Sequence, residues 1–157
     1  MSNQPLLIFK VILITAFFSS LSYAELVKPN NGIEPFQVVK IQLRSLKQND
    51  KPQKDNGIEQ TWKFAHPNNQ KNTGPFERFK KMIKGKSYGI LLNHLDHKVV
   101  EIKSSDLTAL FEVTVLDKDK AYYKFNWQVE KYTKDGPLKD CWLTTIVSTP
   151  MSLGSSI

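Results

Sequence analysis

Residues 71–88 read KNTGPFERFKKMIKGKSY, and five of the nine residues from Arg78 to Lys86 are basic. Taken as a helix stepping 100° per residue, the segment gathers Phe76, Phe79, Met82 and Ile83 into one arc of about 120°. Glu77, Lys80, Lys81 and Lys84 fall on the opposite side, with Arg78 at its edge. Gly74-Pro75 suits the start of the helix, and Gly85 stands where a C-terminal glycine ends one. Late lysines also favour the negative end of the helix dipole. The apolar arc therefore faces a core. Arg78, Lys80, Lys81, Lys84 and Lys86 remain on the solvent side as the candidate surface for anionic partners.

Toward the N-terminus, EPFQVVKIQLRSLKQND places Phe36, Val39, Leu43 and Leu46 at helical spacing, with Val38 and Ile41 widening the stripe and Pro35 at the first turn. A shorter helix is expected over Ile58–Ala65, stopped by Pro67, with HPNNQKN as a loop. Glu25–Ile33 reads as a lead-in loop. The first 24 residues hold an apolar run, Leu6–Phe18, interrupted by Lys10. Ser22 and Ala24 follow at small-x-small spacing. That pattern predicts a signal peptide cut before Glu25, hence an exported protein, periplasmic or secreted, with no transmembrane segment after cleavage.

Beyond Gly85 the texture changes to strands. YGILLNHL, HKVVEIK, LTALFEVTVLD, AYYKFNWQVEKY and CWLTTIVST are the five expected strands. The fourth is the clearest: Tyr123, Phe125, Trp127 and Val129 alternate with Lys124, Asn126, Gln128 and Glu130. Asp117–Lys120 supplies a hairpin turn. Residues 150–157 are expected to be a disordered tail. Helices first and an antiparallel meander after them predict an α+β domain over residues 34–149. Three N-terminal helices would pack on one face of a curved sheet of about five strands, leaving a cone-shaped interior.

The order of these segments resembles a family of small bacterial and plant proteins of uncharacterised function. That family lies within the nuclear transport factor 2-like, or cystatin-like cone, superfamily. The resemblance rests on a first helix ending near Asp50 and on an aromatic-x-aromatic-Ala-x-Pro run in Trp62, Phe64, Ala65 and Pro67. Gly74-Pro75 ahead of Arg78-Phe79, and Tyr88 after them, complete it. It spans about residues 34–149, and the Gly-Pro-x-x-Arg-Phe segment is its most specific part. It implies a fold more than a function, because the superfamily holds ketosteroid isomerases, dehydratases, transport factors and exported binding domains.

Enzymes of that superfamily place an acid, a tyrosine or a His-Asp pair inside the cone, where burial tunes a proton donor or acceptor. The weak candidates here are His94, Asp96 and Asp106. Asn93–His97 could form a metal site or a base with its orienting acid, but reads first as a turn, whose residue types tolerate tight backbone angles. With one cysteine and three histidines, no zinc cluster is expected. No phosphate loop or nucleophile elbow is present, and no cofactor is implied. Trp62, Tyr88, Phe125, Trp127 and Trp142 are the candidates for an apolar ligand pocket, a role that competes with core filling. Cys141 reads as a small half-buried residue.

The full chain has 22 Lys and Arg against 15 acids. Removing Lys10 with the leader leaves a net charge of +6. The lysines of the opening helix lie opposite its aromatics, so no stacking track for nucleic acid forms. The leading expectation is an exported, non-catalytic cone-fold domain that binds a small apolar ligand or a protein partner, such as an envelope protein, with a homodimer compatible. Its rivals are a small lyase or isomerase with a carboxylate or histidine in the cone, and an envelope-associated protein contacting anionic surfaces.

Overall fold

A computed structural model describes residues 25–155. The expected signal peptide, residues 1–24, lies outside the described residues. The lead-in arm, residues 25–33, is fixed at Val27 by one side chain. Gln60 Oε1 accepts from the Val27 N–H at 2.7 Å, and Gln60 Nε2 donates to the Val27 carbonyl at 2.9 Å. No helix of the described residues is long and apolar enough to cross a membrane.

Helix α1 spans Pro35–Lys47. Pro35 opens it with its φ already helical, and Gln37 Oε1 accepts from the Glu34 N–H at 2.9 Å. Its apolar stripe buries Val38, Val39, Leu43 and Leu46. Helix α2 spans Asn56–Lys63 and crosses α1 tightly enough that a Cβ on Gly57 would lie 2.1 Å from the Ser45 carbonyl oxygen. Only glycine fits that crossing.

The expected loop at HPNNQKN is instead a helix, α3, Pro67–Thr73. Pro67 occupies its first position, and His66 caps it by accepting from Asn68 N–H at Nδ1, 3.0 Å. It buries none of its residues, so it leaves no apolar stripe to read in the sequence. Helix α4, Phe76–Ile83, buries Phe79 and Ile83 as its periodicity requires. Among the described residues the α-helices therefore number four, not three.

The expected first strand, YGILLNHL, is also revised. Gly89–Leu91 forms a 3-10 turn, closed by bonds from Leu91 N–H to Tyr88 O at 2.9 Å and Leu92 N–H to Gly89 O at 3.1 Å. Its consecutive apolar residues lack the alternation of a half-buried strand, and a tight turn buries them as well. Asn93 then takes a left-handed φ of 55° and ties its N–H to Leu46 O, at the end of α1.

The sheet comprises β1 Asp96–Ser104, β2 Thr108–Leu116, β3 Ala121–Lys131, β4 Trp142–Val147 and β5 Met151–Ser155. The order is β1-β2-β3-β4, all antiparallel, with β5 also on β3. The class is thus α+β with a five-stranded antiparallel sheet. The fifth strand comes from the expected tail rather than from YGILLNHL. β4 covers only Trp127–Lys131 of the eleven-residue β3, and β5 takes up Ala121–Lys124. All five β5 residues are exposed. Backbone pairing rather than side-chain burial holds this strand, so it carries no hydrophobic pattern.

One face of the sheet makes the core. Ala109, Phe111, Val113 and Val115 of β2 and Phe125, Trp127 and Val129 of β3 are buried against α1, α2 and α4. The alternation predicted for β3 holds. The other face carries polar pairs such as Lys124–Glu112 at 3.2 Å.

Candidate functional site

Four helices, the 3-10 turn and the β3–β4 end of the sheet do not close completely. They leave a cavity of about 90 Å³. Its buried lining includes Gln42, Thr61, Trp127 and Thr144 on the polar side and Leu46, Phe79, Ile83 and Leu91 on the apolar side. Half-buried Asn69, Thr73, Met82, Tyr88 and Val147 mark where it opens.

The polar side is a closed hydrogen-bond network. Gln42 lies in the middle of the buried arc of α1, where a glutamine is costly unless bonded. Its Oε1 accepts from Thr144 Oγ1 at 2.6 Å and from Trp127 Nε1 at 3.1 Å. Its Nε2 donates to Thr61 O at 3.0 Å. Trp127 Nε1 also lies 3.2 Å from Thr144 Oγ1. Both lone pairs of the amide oxygen are thus used within the protein. The backbone of Thr144 is fixed as well: its N–H donates to Phe64 O at 2.8 Å, and its carbonyl accepts from His66 N–H at 2.8 Å and Asn69 Nδ2 at 3.1 Å. The chain between α2 and α3 so covers the outer edge of β4.

Tyr88 donates its hydroxyl to Val147 O at 3.0 Å across the opening, and burial raises its pKa. Among the described residues it is the only titratable side chain in the lining. Among the described residues that line the space there is no carboxylate, imidazole or ammonium. The cavity can bind; it offers no strong acid–base pair.

Of the five aromatic pocket candidates, Trp127 and Tyr88 line the cavity. Trp62 stands behind its wall, with ring centroids 4.9 Å from Phe79 and 5.9 Å from Phe76. Phe125 is fully buried in the core. Trp142 lies under Lys131 Nζ, 5.1 Å from its ring, and borders a separate surface groove with Phe36 and Glu101. Gln42, Thr61, Asn69, Thr73 and Thr144 were absent from the sequence expectation. Gln42 was detectable as a polar residue inside an apolar stripe. Thr144 acquires its role only through pairings distant in sequence.

The three catalytic candidates do not converge. Asp106 is exposed in the β1–β2 turn, and Asp96 is exposed with Lys47 Nζ at 3.9 Å. His94 is buried beneath the 3-10 turn, outside the cavity lining. Its Nδ1 is 2.7 Å from Leu91 O and its Nε2 2.7 Å from His97 Nδ1. Burial lowers its pKa to about 4. Both nitrogens are engaged, so no lone pair faces an open space. Among the described residues, no three or more His, Cys, Asp or Glu gather where an ion could be held.

The basic set of α4 is partly neutralised. Lys80 pairs with Glu77 at 2.9 Å and lies over the Phe76 ring, and Lys84 pairs with Asp55 at 2.7 Å. Arg78, Lys81 and Lys86 are exposed. The groove beside them has Lys54, Lys84, Lys86 and Lys118 opposed by Asp50, Asp55, Asp117 and Asp119, so it carries no net charge.

No protein-family model, curated protein or solved structure matches this chain.

Proposed function

We propose that this protein is an exported, non-catalytic binding domain of the cone superfamily, acting in the periplasm or after secretion. The space between helices and sheet takes the narrow, uncharged end of a small amphipathic ligand. The observation that carries this reading is the cavity: apolar on one side, floored by a hydrogen-bond network already complete, and with no carboxylate or imidazole among the described residues that line it. Its volume limits the occupant. About 90 Å³ is less than the roughly 150 Å³ apolar cavity that admits benzene, and far below the roughly 300 Å³ at which drug-sized sites begin. A short alkyl end fits and a fused ring does not. The lyase or isomerase reading loses support because His94, Asp96 and Asp106 do not line this space.

Titration with 1-butanol tests the reading, with the indole N–H resonance of Trp127 as reporter. A saturable shift is expected, and it should vanish in Val147→Phe, which fills the opening. Absence of a saturable shift, or an unchanged shift in the filled variant, would overturn the proposal.

A further inference from the structure

A further concavity, of about 470 Å³, lies between the lead-in arm and α1. This volume falls in the roughly 300–1,000 Å³ range of small-ligand sites. Val27, Ile33 and Ile41 supply its apolar surface, and among the described residues Lys40 and Arg44 are its only charged lining groups. Val27 is 44% exposed, an apolar side chain left open beside two cations. Neither cation forms an ion pair among the described residues. That contrasts with the groove beside α4, where four lysines face four aspartates.

Both walls are held firmly. The arm is pinned by the paired Gln60–Val27 bonds, and α1 is anchored by its buried face. Lys40, Arg44 and Lys47 fall within an arc of about 60° on α1, and only Lys47 has a nearby carboxylate, Asp96. The field of the three reaches β1. After burial, the cause that most opposes a proton on His97 is Lys47, and Lys40 and Arg44 act in the same direction.

We infer that this groove binds a small organic anion with an apolar body, its carboxylate against Lys40 and Arg44 and its chain along Ile33 and Ile41. The guanidinium fork suits a carboxylate bidentately, and the ammonium adds a point charge without a fixed geometry. An uncharged amphiphile would leave Arg44 unmatched and Lys40 with only the Phe36 ring beneath it, 5.5 Å away, so the groove discriminates by charge. It stands apart from the cavity and does not depend on the function proposed for it.

The test is a titration with sodium octanoate, against 1-octanol as the uncharged control, followed through backbone amide resonances. Octanoate should shift Ile33, Gln37 and Ile41 saturably. Its affinity should fall about tenfold or more in Lys40→Gln/Arg44→Gln, as expected for losing a charge-assisted pair. It should also weaken between about 0.02 and 0.3 M salt. Equal binding of octanol, or full affinity in the double variant, would overturn the inference. So would a response confined to the Trp127 indole, which would at the same time support the cavity.

Discussion

His94 shows how a single residue can depart from its expected setting while its neighbours keep theirs. Asn93 behaves as the turn residue its type suggests, at positive φ, and Asp96 is exposed at the start of β1. His94 between them is buried. With Nδ1–H donating to Leu91 O, its Nε2 must accept from His97 Nδ1–H. A proton on Nε2 would set donor against donor, beside Lys47. The folded pKa of about 4 lies below the ordinary 6.5, so the unfolded chain binds the proton first. The contribution of His94 to stability is therefore complete above about pH 6.5 and declines as the pH falls toward 4. A gap of this size is worth about 3 kcal/mol. Urea unfolding between pH 7 and 4.5 should show a steep loss, flattened in His94→Gln. Equal slopes in the two proteins would refute the assignment.

Among the elements, legibility in the sequence follows burial. Helix α1 and strand β3 each bury one face and expose the other, so their periods were readable. Helix α3 buries no residue and β5 is wholly exposed; hydrogen bonds and pairing alone define them. A run such as Gly89–Leu92, apolar on every side, gives no period at all. The strand β5 leads to a specific expectation. Ending the chain after Pro150 should cost no more than about 2 kcal/mol, since four backbone pairings are lost with no buried side chain and the freed residues regain conformational entropy. The bared Ala121–Lys124 edge should then raise self-association, because unpaired strand edges recruit other chains. Sedimentation and urea melts check both parts. A truncated chain that fails to fold would assign β5 a larger role than its exposure allows.

Over the whole molecule, stability comes from one apolar core with no covalent crosslink among the described residues. Cys141 is buried, and burial together with Asp140 raises its thiol pKa. The melting temperature should be the same with and without reductant. An aromatic disulfide reagent should react at least about a hundredfold faster once the protein is denatured. A fast native reaction would mean that the chain leading into β4 at Cys141 opens readily. The sequence carried the class of the fold and Trp127's place in the core. It could not carry the union of Gln42, Trp127 and Thr144, because that depends on which strands become neighbours. The union also bears on the order of folding. Gln42 stands 85 residues before Trp127 and 102 before Thr144. Contacts this distant in the chain are slow to form, since loop closure precedes any gain from them. During synthesis α1 therefore emerges long before the groups that satisfy its buried amide. Until α2, β3 and β4 have each arrived, part of the Gln42 amide stays hydrated, which disfavours an early, dry and wrongly paired core around the first helix.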